Sequence, residues 1–457
     1  MQKKGREFVN MFLKSYTILS LFIILYTLYR ILVYYFNGND LQVIFGKYNK
    51  YLFISFSSFL FFLFSQRLNK YLKQYIVLVF TSILVTIYIL EFTLAFTFPE
   101  KKGDQFRNLN LKDKLAIYQK FLEKNIYPFD VINKKFMNNG DFLYPLSYIP
   151  NIKTYLCNET GENIFYISDN FGFRNENLVW DKKNIEIVLI GDSFVHGACQ
   201  KTENTIAGYL KKREDSVINL GLGGAGPLRE YAIFKEFAKN IKPKNVFWFY
   251  AEGTDLTKDF RGEKKNINLI KYIEKNYSLN LFENQKKIKD QLKLFIENKI
   301  AKKINHKKIS QGDQIDINKK ISKFLEKTKT LRLWNVRHLI SNLMQMNIYL
   351  DPLFFDLLQK TNDHVNDWGG KLFFVYMPEA RRYENHLNRF VLRGKFRNKE
   401  IILNKVKSMN IDIIDVDKDI FSKNENPLVY FDRTNVHYNK YGYKLIANEI
   451  IDKVQNK

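Results

Sequence analysis

The sequence predicts an α/β domain with a parallel sheet between two layers of helices, preceded by membrane helices. From residue 185 onward, short apolar segments of strand character alternate with helical segments, which is typical of a parallel sheet covered by helices. Before residue 99, long apolar runs dominate the chain, as in helices that cross a bilayer. Right-handed crossovers between the strands would give a three-layer, flavodoxin-like sandwich.

Composition limits the classes of protein to which the chain can belong. Its 457 residues are enough for a full domain with accessory parts. Lys and Arg number 72 against 47 Asp and Glu, and the formal net charge of +25 would suit anionic lipid headgroups, acidic glycans or nucleic acid. Because the basic residues are spread along the chain, a general compositional bias is the simpler explanation. The sequence has no zinc-finger spacing, RNP-like aromatic motif or Walker-type loop, so we expect no nucleic-acid partner.

Three apolar runs occupy residues 1–98. The runs 11–36 and 75–98 exceed the roughly 20 residues that a helix needs to cross the hydrocarbon core, whereas 51–65 is shorter. The first run lacks a small-residue cleavage site, so it is not predicted to be a removable signal peptide. Residues 1–98 are therefore predicted to form a membrane anchor of two or three transmembrane helices.

Flanking charges predict the orientation of this anchor. Basic residues are dense before the first run and between the second and third runs: Lys3, Lys4, Arg6, Lys14, Arg67, Lys70 and Lys73. Between the first and second runs there are only Lys47 and Lys50. The positive-inside rule then predicts a cytoplasmic N-terminus, three crossings of the cell inner membrane and a C-terminal domain that is periplasmic or extracellular. A middle run that does not cross would leave that domain in the cytoplasm.

Residues 99–184 are predicted to link the anchor to the sheet and to lead into it. The stretch 110–125 looks helical, and Pro145 and Pro150 indicate extended chain. The stretch 166–175 predicts a strand followed by a turn.

Residues 185–457 are predicted to form the α/β domain. Its strands are predicted at 185–190, 217–220, 245–250, 372–377 and 411–416, and its last helix at 439–454. A basic insertion at about 261–330 interrupts this alternation, with helix-like apolar spacing in its middle. The insertion is either a solvated helical addition or a surface that attracts an anionic substrate or headgroup.

Polar residues follow three of the predicted strands directly. Ser193, in a Gly-Asp-Ser sequence, follows the first strand and so reaches the crevice where open α/β sheets bind ligands. A glycine-rich stretch at 221–224 follows the second strand, and Thr254, in a Gly-Thr-Asp sequence, follows the third. Because a serine needs a base to act as a nucleophile, His437, just before the last helix, becomes the candidate base.

This order of blocks resembles the SGNH, or GDSL-type, hydrolase family in its membrane-anchored bacterial form. The resemblance covers about residue 165 to the C-terminus, interrupted by the insertion. It implies an SGNH sandwich that acts as a serine acyl-ester hydrolase or O-acyltransferase, with no metal or organic cofactor. Ser193 would be the nucleophile and His437 the base.

The resemblance also implies an oxyanion hole. The backbone amides of Ser193 and Gly224 and the side chain of Thr254 would hold the developing negative charge. Gly221 and Gly223 are alternatives to Gly224 if the alignment shifts. Thr254 departs from the family, in which this position is an asparagine, because a hydroxyl reaches less far than a side-chain amide.

The resemblance leaves open which group orients His437. The position three residues before the histidine, an aspartate in the family, is Thr434 here. Asp432 is a candidate if the loop bulges, and Asn435 is another because an amide orients the histidine of papain-like proteases.

The anchor and the resemblance together predict an acylated glycan or lipid of the cell envelope as substrate. The rival hypothesis is a catalytically weak or inactive SGNH-fold binding module in an envelope assembly, favoured by the departures at Thr254 and Thr434. The sequence also has two cysteines, Cys157 and Cys199, which either form one bridge outside the cytoplasm or stay as buried thiols.

Overall fold

The computed structural model of the chain describes residues 2–36, 41–97, 109, 111–129, 143–309, 329–344, 350–384, 393–434 and 436–455. Contacts between its residues divide the chain into two units. One combines Met1–Pro99 with Leu325–His338, and the other combines Glu100–Phe324 with Leu339–Lys457.

The helices and strands of the described residues have the following bounds. The helices are α1 (Gln2–Phe36), α2 (Leu41–Ser65), α3 (Lys70–Thr97), α4 (Leu111–Glu123), α5 (Ser193–His196), α6 (Ile206–Leu210), α7 (Pro227–Ile233), α8 (Lys239–Ile241), α9 (Phe260–Glu263), α10 (Ile267–Ile270), α11 (Gln285–Ile309), α12 (Trp334–Met344), α13 (Pro352–Asp367), α14 (Arg393–Lys407) and α15 (Lys440–Gln455). The strands are β1 (Ile126–Pro128), β2 (Lys153–Cys157), β3 (Ile164–Ile167), β4 (Ile187–Ile190), β5 (Val217–Asn219), β6 (Asn245–Ala251), β7 (Lys371–Met377) and β8 (Asp412–Asp415).

The first unit contains the apolar helices. Among the described residues, two stretches are long and apolar enough to cross a membrane, Glu7–Leu32 in α1 and Lys70–Phe96 in α3, and α2 is not one of them. Leu13, Phe62 and Val77 form a small core between the three helices. Length and composition thus support two candidate spans.

The segment that follows the insertion belongs with these apolar helices. The carboxylate of Glu91 on α3 is fully buried and accepts hydrogen bonds from the Val336 amide (2.8 Å) and the Asn335 side chain (2.9 Å). The Tyr88 hydroxyl donates to the Leu331 carbonyl at 2.9 Å. A carboxylate in an apolar helix is costly unless it has such partners, so Glu91 ties the start of α12 to α3.

The second unit is built on the predicted parallel sheet. Its five strands lie in the order β5-β4-β6-β7-β8 and all neighbouring pairs are parallel. This is the flavodoxin-like order, so the predicted α/β fold is confirmed. Side chains of β4 alternate between two cores, with Val188 in one and Leu189 in the other, because successive side chains of a strand point to opposite faces. Apolar side chains of α13 pack in the first core and those of α15 in the second.

Residues 99–184 are more than the predicted linker. They contain α4, as predicted, and also a second sheet in which β1 pairs parallel to β2 and β2 pairs antiparallel to β3. Arg174, in the turn beyond β3, is buried and donates to the carbonyl oxygens of Gly197 (2.9 Å) and Gln200 (2.7 Å). These bonds fasten the lead-in to the loop that follows Ser193.

The insertion is partly built into the core rather than wholly solvated. Ile288, Leu292, Ile296 and Ile300 recur every four residues on α11 and are at most 2% exposed. This spacing puts them on one face of the helix, as the sequence predicted. Residues 310–328 of the insertion lie outside the described residues, so the prediction of a substrate-attracting surface stays a prediction.

Candidate active site

Ser193 stands at the carboxyl end of β4, an interior strand of the large sheet. The Gly191-Asp192 turn that connects the strand to α5 is tight, since a Cβ on Gly191 would lie 2.5 Å from the Val195 side chain. The Asp192 carboxylate accepts a hydrogen bond from the Phe194 amide at 2.9 Å and so caps the start of α5. All four residues of β4 are buried, which fixes the strand and with it the position of the serine.

His437 and an acid complete a hydrogen-bonded line from Ser193. The Ser193 Oγ lies 2.9 Å from His437 Nε2, and His437 Nδ1 lies 2.7 Å from Glu159 Oε2. Glu159 is 3% exposed and His437 8% exposed, so water screens this line little. The geometry is that of a nucleophile, a base and an orienting acid.

Glu159 replaces the candidates that the sequence offered as the orienting acid. Asp432 does not bond to Nδ1; its Oδ1 accepts hydrogen bonds from the Thr434 amide (2.8 Å) and hydroxyl (2.6 Å) and from the Val436 amide (3.3 Å). Asp432 Oδ1 therefore closes the turn before the histidine.

Asn435, the other candidate, lies outside the described residues.

The acid raises the basicity of His437. Burial lowers the pKa of His437, but the hydrogen bond and the negative charge of Glu159 outweigh it, and the net pKa shift is upward. His196 shows the opposite balance, because burial and the nearby Arg174 charge lower its pKa to about 3. Its Nε2 lies 3.2 Å from the Tyr166 hydroxyl. His437, and not His196, is therefore the histidine suited to accept a proton.

The loop after β5 is fastened beneath the nucleophile. The Leu222 amide donates to the Gly191 carbonyl at 3.0 Å. A Cβ on Gly221 would lie 2.4 Å from the backbone nitrogen of His196. Gly224, two residues beyond Leu222, has a φ of 77°, which favours glycine. The glycines of this block thus follow from the close approach of the loop to α5, which is compatible with the predicted oxyanion role of the Gly224 amide.

Thr254 lies beside the residue that precedes the nucleophile. Its Oγ1 is 3.4 Å from Asp192 Oδ2 and 3.4 Å from Asp255 Oδ1. Burial raises the pKa of Asp192 to about 6. The third sequence block therefore reaches the site, with its hydroxyl directed towards carboxylates.

Three groups at the site could in principle ligate a metal. Glu159, Asp432 and His437 each offer one atom, and these atoms lie within 4.8 Å of one another. The 2.7 Å contact between His437 Nδ1 and Glu159 Oε2 is a hydrogen bond, so we assign Glu159 to orienting the histidine and not to a metal.

One feature of the sequence points to Glu159. The structure joins Cys157 and Cys199 in a disulfide, one of the two alternatives left open above. Cys199 follows the serine by a few residues and Cys157 immediately precedes the Glu159 loop. A bridge between the cysteines therefore implies an acid near Ser193.

Comparisons with known proteins give similarity of fold only. No family model matches the chain, and no curated protein matches it. Among solved structures, the acetyl xylan esterase AlAXEase is 13% identical, with a TM-score of 0.31 over 59% of this chain and 100% of its own. A lipase/acylhydrolase from Enterococcus faecalis is 12% identical, with a TM-score of 0.32 over 60% and 96%. A GDSL-like lipase from Bacteroides thetaiotaomicron is 12% identical, with a TM-score of 0.32 over 60% and 90%.

Proposed function

We propose that this chain is a membrane-anchored serine esterase or O-acyltransferase in which Ser193, His437 and Glu159 form a catalytic triad. The observation that carries the proposal is the continuous line of hydrogen bonds from the serine hydroxyl through both imidazole nitrogens to a buried carboxylate. A serine hydroxyl is a weak nucleophile by itself, and this arrangement is what activates it.

The first half-reaction follows from the geometry. Ser193 Oγ attacks the ester carbonyl while His437 Nε2 takes the hydroxyl proton, and the Glu159 carboxylate stabilises the imidazolium that forms. The amides of Ser193 and Gly224 would hold the oxyanion, with the Thr254 hydroxyl as a third donor if it turns away from Asp192. His437 returns the proton to the departing alcohol, which leaves an acyl group on the serine.

The second half-reaction decides between hydrolysis and transfer. Water or an acceptor hydroxyl gives its proton to His437 and attacks the acyl carbonyl. The bond to Ser193 Oγ then breaks, and His437 returns the proton to that oxygen. These steps use only groups of this chain. We propose an acylated envelope glycan or lipid as substrate, because the apolar helices would hold the site beside a membrane.

We also propose that the catalytic domain lies outside the cytoplasm. The charge distribution around the apolar runs supports this orientation, which requires α2 to cross as a third span beside the two candidate spans. The Cys157–Cys199 disulfide supports it independently, since such bridges persist in oxidising compartments.

Covalent labelling tests the proposed nucleophile. A fluorophosphonate probe should modify wild-type protein at Ser193 and should leave Ser193→Ala unlabelled, as read by mass spectrometry of the peptide. The Ser193→Ala melting temperature should stay within about 2 °C of wild type, because the substitution removes one partly buried hydroxyl. Labelling of Ser193→Ala to the wild-type level would remove Ser193 from the mechanism.

A binding module without turnover is the second candidate. The Thr254 contact with two carboxylates favours it, because a hydroxyl engaged there is a weak oxyanion donor. An unlabelled wild-type serine together with measurable binding of an acylated glycan would support this candidate over the enzyme.

A further inference from the structure

The disulfide connects the two segments that carry the nucleophile and the acid. Cys157 is the last residue of β2, and Cys199 lies just beyond α5, which begins with Ser193. Their Cα atoms are 5.4 Å apart and they are 42 positions apart in sequence. Both cysteines are buried, at 8% and 1% exposure. The bridge therefore joins the small sheet to the loop that follows the nucleophile.

Glu159 lies next to this bridge, and its backbone contacts Cys199. Its own amide donates to Cys199 Sγ at 3.3 Å. Its carbonyl accepts a hydrogen bond from Arg433 Nε at 2.5 Å. Since Glu159 lies in the loop between β2 and β3, the ladder of the five-stranded sheet does not hold it. The loop is held by the pairing of β2 with β3, by the Cys157–Cys199 bridge and by the Arg433 contact from the turn that carries His437.

The backbone at Cys199 has a conformation that a cysteine rarely adopts. Its φ is 54°, in the left-handed region that favours glycine, and nearby Gly197 has a φ of 75°. A non-glycine residue in this region is strained unless its surroundings hold it. The bond to Cys157 is such a constraint.

We propose that Cys157 and Cys199 are positioning residues of the active site, whose bridge holds Glu159 against His437 Nδ1. This inference rests on the proposed triad. Without the bridge, the loop between β2 and β3 relaxes, the carboxylate leaves the imidazole, and the histidine loses both its orientation and its raised pKa.

A double-mutant cycle tests this role. The variants are Cys157→Ser with Cys199→Ser, Glu159→Gln, and the combination, assayed for kcat/KM with an activated ester over a pH series below every melting temperature. We expect the serine pair to lower kcat/KM by about tenfold or more and to move the acidic limb of the profile to lower pH. In the Glu159→Gln background the same pair should cost less than about twofold.

Two outcomes would overturn the positioning role. Equal losses in both backgrounds would mean that the bridge acts through general stability, and no loss in either would mean that Glu159 is held without it. Glu162→Gln is the matched control, because it breaks the exposed ion pair with Lys201 in the same loop and should leave kcat/KM unchanged.

Histidine NMR gives a readout that does not need turnover. The His437 resonance, identified by its absence in His437→Asn, should titrate with a lower pKa in the serine pair, as in Glu159→Gln. An unchanged His437 pKa would refute the positioning role whatever the activity. A lowered pKa in a protein whose Ser193 never reacts would keep the positioning inference and refute the proposed enzyme.

Discussion

A buried carboxylate 2.7 Å from an imidazole changes what the histidine can do. His437 would have a lowered pKa from burial alone, and the Glu159 charge and hydrogen bond reverse that shift. Because the folded pKa is raised, the pair stabilises the fold fully below the unfolded pKa of 6.5. That contribution is lost as the pH rises through the folded pKa.

Glu159→Gln should expose this balance in the pH dependence of turnover. A general base must be neutral, so the raised pKa puts the acidic limb of the wild-type kcat/KM profile above 6.5. Without the negative charge, burial lowers the pKa of His437, so the acidic limb should move to lower pH. On the plateau we expect a loss of about 10² or more, by analogy with neutralised triad acids. A limb that stays in place would show that Glu159 does not govern His437.

At the level of single residues, sequence position predicted two members of this line and missed the third. Ser193 and His437 lie at places that the α/β pattern defines, after the first strand and before the last helix. Glu159 lies outside that pattern, in the loop between β2 and β3 next to the Cys157–Cys199 disulfide, where its carboxylate is 2.7 Å from His437 Nδ1. Asp432 was offered instead because it is near in sequence, but its Oδ1 is used within its own turn.

At the level of elements, the strands of the large sheet were predictable because they are short continuous apolar runs, buried on both faces. The small sheet was predicted only in part: the strand expected at 166–175 overlaps β3, whereas β1 and β2 were not predicted. β1 has only three residues and β2 begins with Lys153 and Thr154, so neither shows the continuous apolar run that marks the strands of the large sheet. The attachment of α12 to α3 through Glu91 also lacks a sequence signal, since it joins a single carboxylate to distant backbone amides.

The contact between the β5 loop and α5 leads to a prediction about packing. Gly221→Ala would place a Cβ 2.4 Å from the backbone nitrogen of His196. The substitution should lower the free energy of unfolding by about 1–3 kcal/mol. Because the backbone carrying Ser193 must shift, fluorophosphonate labelling should slow as well. Thermal melting and labelling rates measure the two effects.

Gly262→Ala is the matched control for this prediction. An added Cβ there meets no described atom within 4 Å, and the residue lies in helix α9. Alanine should leave the labelling rate unchanged and should not lower the melting temperature. A Gly221→Ala protein that matched Gly262→Ala in both measurements would mean that the loop does not press on α5.

For the whole molecule, the testable question is on which side of the membrane the site lies. We expect a reporter that works only outside the cytoplasm to be active when fused after Lys457, and inactive when fused after Gln66, between α2 and α3. The activity of the reporter is measured in membrane fractions that contain each fusion. A cytoplasm-dependent reporter that works after Lys457 would place the domain inside and would make α2 a segment that does not cross.

The disulfide also has a consequence for the order in which the protein is made. If the domain is exported as proposed, Cys157 and Cys199 are synthesised roughly ten to fifty seconds before His437, at about 5–20 residues per second. An oxidant outside the cytoplasm would form the Cys157–Cys199 disulfide in that interval and place Glu159 close to Ser193. The nascent chain would then contain Ser193 and Glu159 without His437, and it would be inactive. Docking of the last helix, which brings the histidine between its two partners, would switch the enzyme on as the final event of folding.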